Sequence, residues 1–191
     1  MIAPQWGVLA YFQLHVAERW LERGAKSGDP FARFFFYFAG VNALYYLWSK
    51  ADDIRGRTPG RLPNEVAQIK HFLGKAGDTG SAAVLLAARD AVEYFSQRRP
   101  IERMDDRSMS RALDGDMREG RRAKETLITS KDDVERLRAL GHILYLVRLN
   151  LVHGGKMDQG DDADIIGHSA PALGVILEWA IGYTRSELGA M

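Results

Sequence analysis

The segment from position 130 to 153, SKDDVERLRALGHILYLVRLNLVH, constrains this chain more than any other. Val134, Leu137, Leu140, Leu144, Val147 and Leu151 fall on one stripe of a helical wheel that turns about 100° per residue. From Ile143 onward, Ile143, Tyr145, Leu146, Leu149 and Val152 occupy most of the remaining circumference. A helix that is apolar all round must be covered all round. Either it lies at the centre of a bundle, or a partner subunit covers its far side. Ser130, followed by Lys131, Asp132 and Asp133, reads as an N-cap with acids in the first turn, and Gly154-Gly155 reads as the stop after His153.

The same three- and four-residue spacing recurs along the chain, while apolar-polar alternation and β-branched residues are scarce. The fold expected is therefore all-α: one domain over residues 1–191 with about six to seven helices. Leu9, Phe12, Val16, Trp20 and Leu21 mark a first helix that stops near Gly24, and Pro30 suits the first turn of a second, aromatic helix reaching Trp48. Residues 52–63, with Gly56, Pro59, Gly60 and Pro63, read as a loop. Short helices follow at 66–73 and 82–95, and a last one at 165–188, after a polar loop at 156–164. Residues 96–126 interleave eight arginines and Lys124 with seven carboxylates from Glu102 to Glu125, and read as a solvated helix or a mobile, charged insertion.

Composition removes several classes of function. There is no cysteine, hence no thiol nucleophile, thiolate metal site or disulfide. A formal charge of +1 argues against a wholesale basic surface for nucleic acid and leaves room for a local basic patch. His15, His71 and His168 have no metal-ligand spacing, so neither a metal nor a cofactor is expected. Residues 31–48 are about as long as a membrane span, but Arg33 and Asn42 interrupt them and Asp29, Lys50, Asp52 and Asp53 border them. The first fourteen residues have no basic region ahead of an apolar stretch, so a signal peptide is not expected. The expectation is a cytoplasmic protein with no membrane partner.

Three polar residues interrupt the apolar end of the 130–153 helix: Arg148, Asn150 and His153. Such groups need a satisfied network or a function to be placed there. Asn150 and His153, three apart, share a face, whereas Arg148 and His153, five apart, diverge by about 140°. If this helix packed against its own two-fold copy, the Arg and His of both chains could converge on a composite pocket. A helix-end cap network would explain the His and the glycines but not a buried Arg.

The run Arg148-Leu149-Asn150-Leu151-Val152-His153-Gly154-Gly155-Lys156 resembles the Arg-x(4–6)-His motif of the HEPN (higher eukaryote and prokaryote nucleotide-binding) superfamily, in its Arg-x-Asn-Leu-x-His-Gly form. The aromatic helix with Phe38, Asn42, Ala43, Leu44 and Tyr46 is similar to the Asn-Ala-Leu-Tyr helix of prokaryotic members. The resemblance covers most of the chain outside residues 96–126. It implies an up-and-down helical bundle that forms a homodimer through the 131–153 helix and, in active members, a metal-independent endoribonuclease. Such an enzyme directs the ribose 2′-OH at the adjacent phosphate and leaves 2′,3′-cyclic phosphate and 5′-OH ends. By position, His153 would transfer protons, and Arg148 would bind the phosphate and stabilise its developing charge. Asn150 would orient His153 or contact the phosphate, and Lys156 would add positive charge for RNA. Leu149 stands where many catalytic members carry a polar residue, and Asn150, one position on, would take that place.

The family setting implied is a toxin or antiviral-defence effector with an antitoxin or activator protein. The alternative is a non-catalytic dimeric module that binds a nucleotide, RNA or protein through the same groove, and a purely structural helical interaction protein is the third class. Elsewhere a simpler reading suffices. His142, near His153 on the wheel, reads as a surface or packing residue, Asn42 as a hydrogen-bonded core amide, and Phe34, Phe35, Phe38 and Tyr45 as core.

Overall fold

The computed structural model of the chain describes residues 4–54, 62, 64–101, 117–152 and 162–190, and every regular element among them is helical. The order is α1 (Pro4–Lys26), α2 (Pro30–Ile54), α3 (Glu65–Leu73), a 3-10 turn (Gly74–Ala76), α4 (Gly77–Ala87), α5 (Arg89–Gln97), α6 (Met117–Thr129), α7 (Asp133–Val152) and α8 (Asp162–Gly189). The fold is thus the all-α bundle expected, with eight α-helices among the described residues. The stretch read as one helix over 82–95 is two, because the backbone leaves helical geometry at Ala88 (φ −96°, ψ 18°). The charged segment 96–126 contributes the start of α6, and residues 102–116 lie outside those described.

Local chemistry explains most of the helix ends. Asp29 caps α2: its carboxylate accepts the Phe31 N–H (3.0 Å), and Pro30 takes the first helical position, where no N–H is needed. α2 runs on past the expected end at Trp48 to Ile54, so Asp52 is helical and not in a loop. Asn64, in extended backbone, caps α3 by accepting the Ala67 N–H (2.9 Å). The cap of α7 is Asp132, not Ser130: its Oδ1 accepts the N–H groups of Val134 (2.8 Å) and Glu135 (3.2 Å). Ser130 instead closes the turn before it, accepting the Asp132 N–H (3.1 Å). Gly77, at φ +60°, supplies the left-handed step that opens α4.

Helices α1 and α2 pack antiparallel, as the Trp6–Trp48 and Trp20–Phe36 ring contacts show. α8 lies beside α2 and runs parallel to it, with Tyr37 against Gly174, Gly40 against Leu177 and the Trp48 Nε1–H donating to Thr184 Oγ1 (3.0 Å). The second half of the bundle is built on α7, with α3, α4 and α6 laid against it. A Cβ at Gly141 would sit 2.3 Å from Leu73 Cδ1 and 3.3 Å from Ile69 Cγ2, so α7 and α3 approach closely here and any side chain at 141 must push the buried Leu73 and Ile69 aside.

Of the two covers considered for α7, the chain itself supplies one. Leu137, Leu140, Ile143, Leu144, Leu146, Val147 and Leu149 are all buried within a single chain. The core also takes Phe34, Phe38 and Tyr45 as expected, but Phe35 is 38% exposed, one position off the buried stripe. Asn42 is half-buried, not a core amide. By length and composition one described helix, α8, could cross a membrane, and 61% of its apolar window is buried inside the molecule; the 31–48 stretch does not pass that test among the described residues.

Candidate functional site

Where the cover of α7 ends, a narrow strip stays open near its C-terminus. Tyr145, Arg148 and Leu151 are half-buried and Val152 is 51% exposed. The Arg148 side chain is 27% exposed. Its guanidinium lies 5.5 Å from the centroid of the Phe38 ring on α2 and 3.7 Å from Glu65 Oε2 on α3. Stacking on an aromatic face orients the planar guanidinium without using its N–H donors. A single carboxylate at 3.7 Å is an ion pair beyond hydrogen-bond distance, so the donor fork remains largely available to an oxyanion.

Glu65 is itself well held. It sits in the first turn of α3, where the helix dipole favours a carboxylate, and the Tyr45 hydroxyl donates to its Oε1. Burial, then the hydrogen bond to Glu65, pushes the Tyr45 phenol far above its ordinary range, so it stays a neutral donor. Phe38 and Tyr45, two helical turns apart on α2, thus meet Glu65 of α3 and Arg148 of α7 in one cluster.

The remaining predicted site residues fall differently. Asn150 is buried (2% exposed), about 200° round the helix from Arg148, so its amide faces the interior and could act on a ligand only through a neighbour. Leu149 is also buried, its side chain in the core. His153 and Lys156 lie outside the described residues; α7 is described to Val152, one residue before the expected histidine. His142 shares no groove with Arg148: it is buried and turned towards Lys70 and Glu119 instead.

A second charged cluster was not anticipated from the sequence. Asp52, fully buried near the end of α2, takes His71 Nε2 of α3 on its Oδ2 (2.8 Å), and Lys75 of the 3-10 turn takes the same oxygen. The Lys75 ammonium also lies 5.6 Å from the centroid of the Trp48 ring. Burial works to raise the Asp52 pKa, but the hydrogen bonds from Lys75 and then His71 outweigh it and hold the carboxyl below its ordinary value. The signal available was phase: Asp52 follows Leu44 and Trp48 at four-residue steps on a buried stripe, which demands a partner for the charge. Among the described residues no group of His, Asp and Glu is arranged to hold a metal. The chain matches no family model, no curated protein and no solved structure.

Proposed function

We propose that this chain is a HEPN-type, RNA-directed domain that cleaves RNA without a metal, at the open end of α7. The observation that carries the reading is Arg148: a cation in the largely buried second half of α7, left partly open, oriented by Phe38 and loosely paired with Glu65. That is what a phosphate-recognising arginine needs before its ligand arrives. His153, one residue past the last described residue of the helix, would accept the proton of the ribose 2′-OH as that oxygen bonds to phosphorus. The bond from phosphorus to the 5′ oxygen then breaks, and the 5′ oxygen takes a proton from the second His153 of a two-fold dimer. The products are a 2′,3′-cyclic phosphate and a 5′-OH. Arg148 would neutralise the charge on the phosphoryl oxygens, and Lys156 would draw the RNA in. The dimer would join through the strip of Tyr145, Arg148, Leu151 and Val152, and the cellular setting would be a cytoplasmic toxin or defence effector with its own antitoxin or activator.

One observation favours the second reading, a dimeric module that binds RNA, nucleotide or protein without cutting. The position after the arginine, polar in many catalytic relatives of this type, is Leu149 and points into the core. The two readings part in one experiment: incubation of a mixed tRNA and mRNA pool in EDTA with wild type, His153→Ala and Arg148→Ala, with product ends identified. Cleavage by wild type alone, with cyclic phosphate ends, is the result expected of the enzyme. RNA retention without cleavage, lost in Arg148→Ala, assigns the binding module. Cleavage unchanged in both variants overturns the site.

A further inference from the structure

A cavity of about 190 Å³ opens between α3, α6 and α7, lined by none of the residues of the Arg148 cluster. Its polar lining comprises three cations, two carboxylates, one histidine and the hydroxyl residue Thr126. Arg138 is committed: its Nε donates to the Lys70 carbonyl (3.0 Å) and its Nη1 to Glu135 Oε1 (2.6 Å). That pair of bonds uses Glu135 as well. Lys70 Nζ and the Arg122 guanidinium have no ion pair or hydrogen bond among the described residues, although both border the cavity. The His142 side chain is 6% exposed, and its Nε2 is enclosed without a hydrogen bond among the described residues. Glu119 Oε2 stands 3.5 Å from that nitrogen, outside hydrogen-bond geometry.

The unspent chemistry of the cavity is therefore two full positive charges and a ring nitrogen, against one carboxylate. Buried polar groups are nearly always paired, so an enclosed imidazole nitrogen facing a roomy polar cavity marks a place where something else supplies the partner. Burial, and then the charge of Lys70, hold His142 below its ordinary pKa, so it faces the cavity as a neutral ring. The surplus charge selects an anion, and the several donors around one space select an anion with several acceptor oxygens. At this volume the cavity takes a small group and not a whole nucleotide, since sites for drug-sized ligands run to roughly 300 Å³ or more.

We infer that this cavity binds a phosphoryl group, as inorganic phosphate or as the terminal phosphate of a monoester, with Lys70 and Arg122 neutralising it and the His142 ring nitrogen completing its hydrogen bonds. Position 142 lies about 9 Å along α7 from position 148, so the site is separate from the Arg148 end and does not depend on the reading given to that end. The test is calorimetric titration of the full chain with inorganic phosphate and, separately, with adenosine 5′-monophosphate. The expected result is a saturable site that Arg122→Ala and Lys70→Ala each weaken about tenfold and that persists in Arg148→Ala, where any phosphate contact of Arg148 itself would be lost separately. Equal affinity for the two probes assigns free phosphate, and tighter binding of the nucleotide assigns a monoester whose remainder extends from the cavity mouth. Because Arg122 is exposed, its variant is expected to fold normally. In the wild type, the ring ¹⁵N resonances of His142 should move with the same midpoint as the titration. Absence of saturable binding for both probes, equal loss in Arg148→Ala and Arg122→Ala, or an imidazole unmoved at saturation would each overturn the assignment.

Discussion

Asp52 on α2 and Arg148 on α7 each place one charge in an apolar helix, and the bundle treats the two differently. Asp52 is sealed: it has no exposure, the His71 ring nitrogen and the Lys75 ammonium both on Oδ2, an aromatic ring beside the ammonium, and an Oδ1 that is enclosed without a hydrogen bond among the described residues. Arg148 is 27% exposed, with one carboxylate at 3.7 Å and an aromatic ring beneath it. The first arrangement repays the desolvation of a buried charge with closely placed partners, and so ties α2 to α3. The second orients a charge without satisfying it, which is how a ligand-binding group is held. Charge in a greasy helix is thus not by itself a sign of function; whether the charge is closed off from solvent against partners at contact distance, or left open with a loose one, separates the two roles.

The comparison breaks most readily at Asp52. Asp52→Ala leaves His71 and Lys75 without their carboxylate and should lower unfolding free energy by about 3–5 kcal/mol, read by urea denaturation. A loss under about 1 kcal/mol would show that Asp52 is no more structural than a surface ion pair. Next comes Gly141→Ala, predicted to destabilise by about 1–3 kcal/mol, because the added methyl meets Leu73 and Ile69 and pushes α3 off α7. Since α3 carries both His71 and Glu65, this variant should disturb both clusters. RNA affinity unchanged alongside the lost stability would argue that the Arg148 end does not rely on α3.

Acid sharpens the contrast further. The folded pKa of Asp52 lies below its unfolded value, so its contribution is fully present above the unfolded pKa of about 3.9 and is lost as pH falls through the folded value. His142, also held low, works in the same direction at higher pH: below about 6.5 the unfolded chain gains a proton there that the folded chain resists. Stability should therefore fall in two stages on acidification, the first absent in His142→Gln and the second absent in Asp52→Asn.

The smallest effect on stability belongs to the open cluster. Arg148→Ala should cost less than about 1 kcal/mol in denaturation while removing RNA cleavage or binding. Glu65→Gln, which relaxes the hold on Arg148, should leave stability within about 0.5 kcal/mol and tighten RNA binding in a filter assay. Weaker binding in Glu65→Gln would mean that Glu65 positions Arg148 and does not compete for it.

Much of the fold can be read without coordinates. The apolar spacing of residues 134–152 dictates a helix that needs cover on all sides, and Asp29-Pro30 marks a helix start, because periodicity and capping act over a few residues. The polar interruption at Arg148 is equally visible, and so is the resemblance built on Arg148, Asn150 and His153. What only the tertiary structure decided is which of the charged residues are sealed and which are open. Asp52 and His71 are nineteen positions apart, Glu65 and Arg148 eighty-three, and Lys70 and His142 seventy-two, and no local rule brings such pairs together. The cover of α7 was likewise undetermined between a partner and the chain's own helices until α3, α4 and α6 were placed around it. Helix formation is settled between neighbours in sequence, whereas the pairing of charges and the closure of a core depend on contacts between distant segments that only the packed bundle creates.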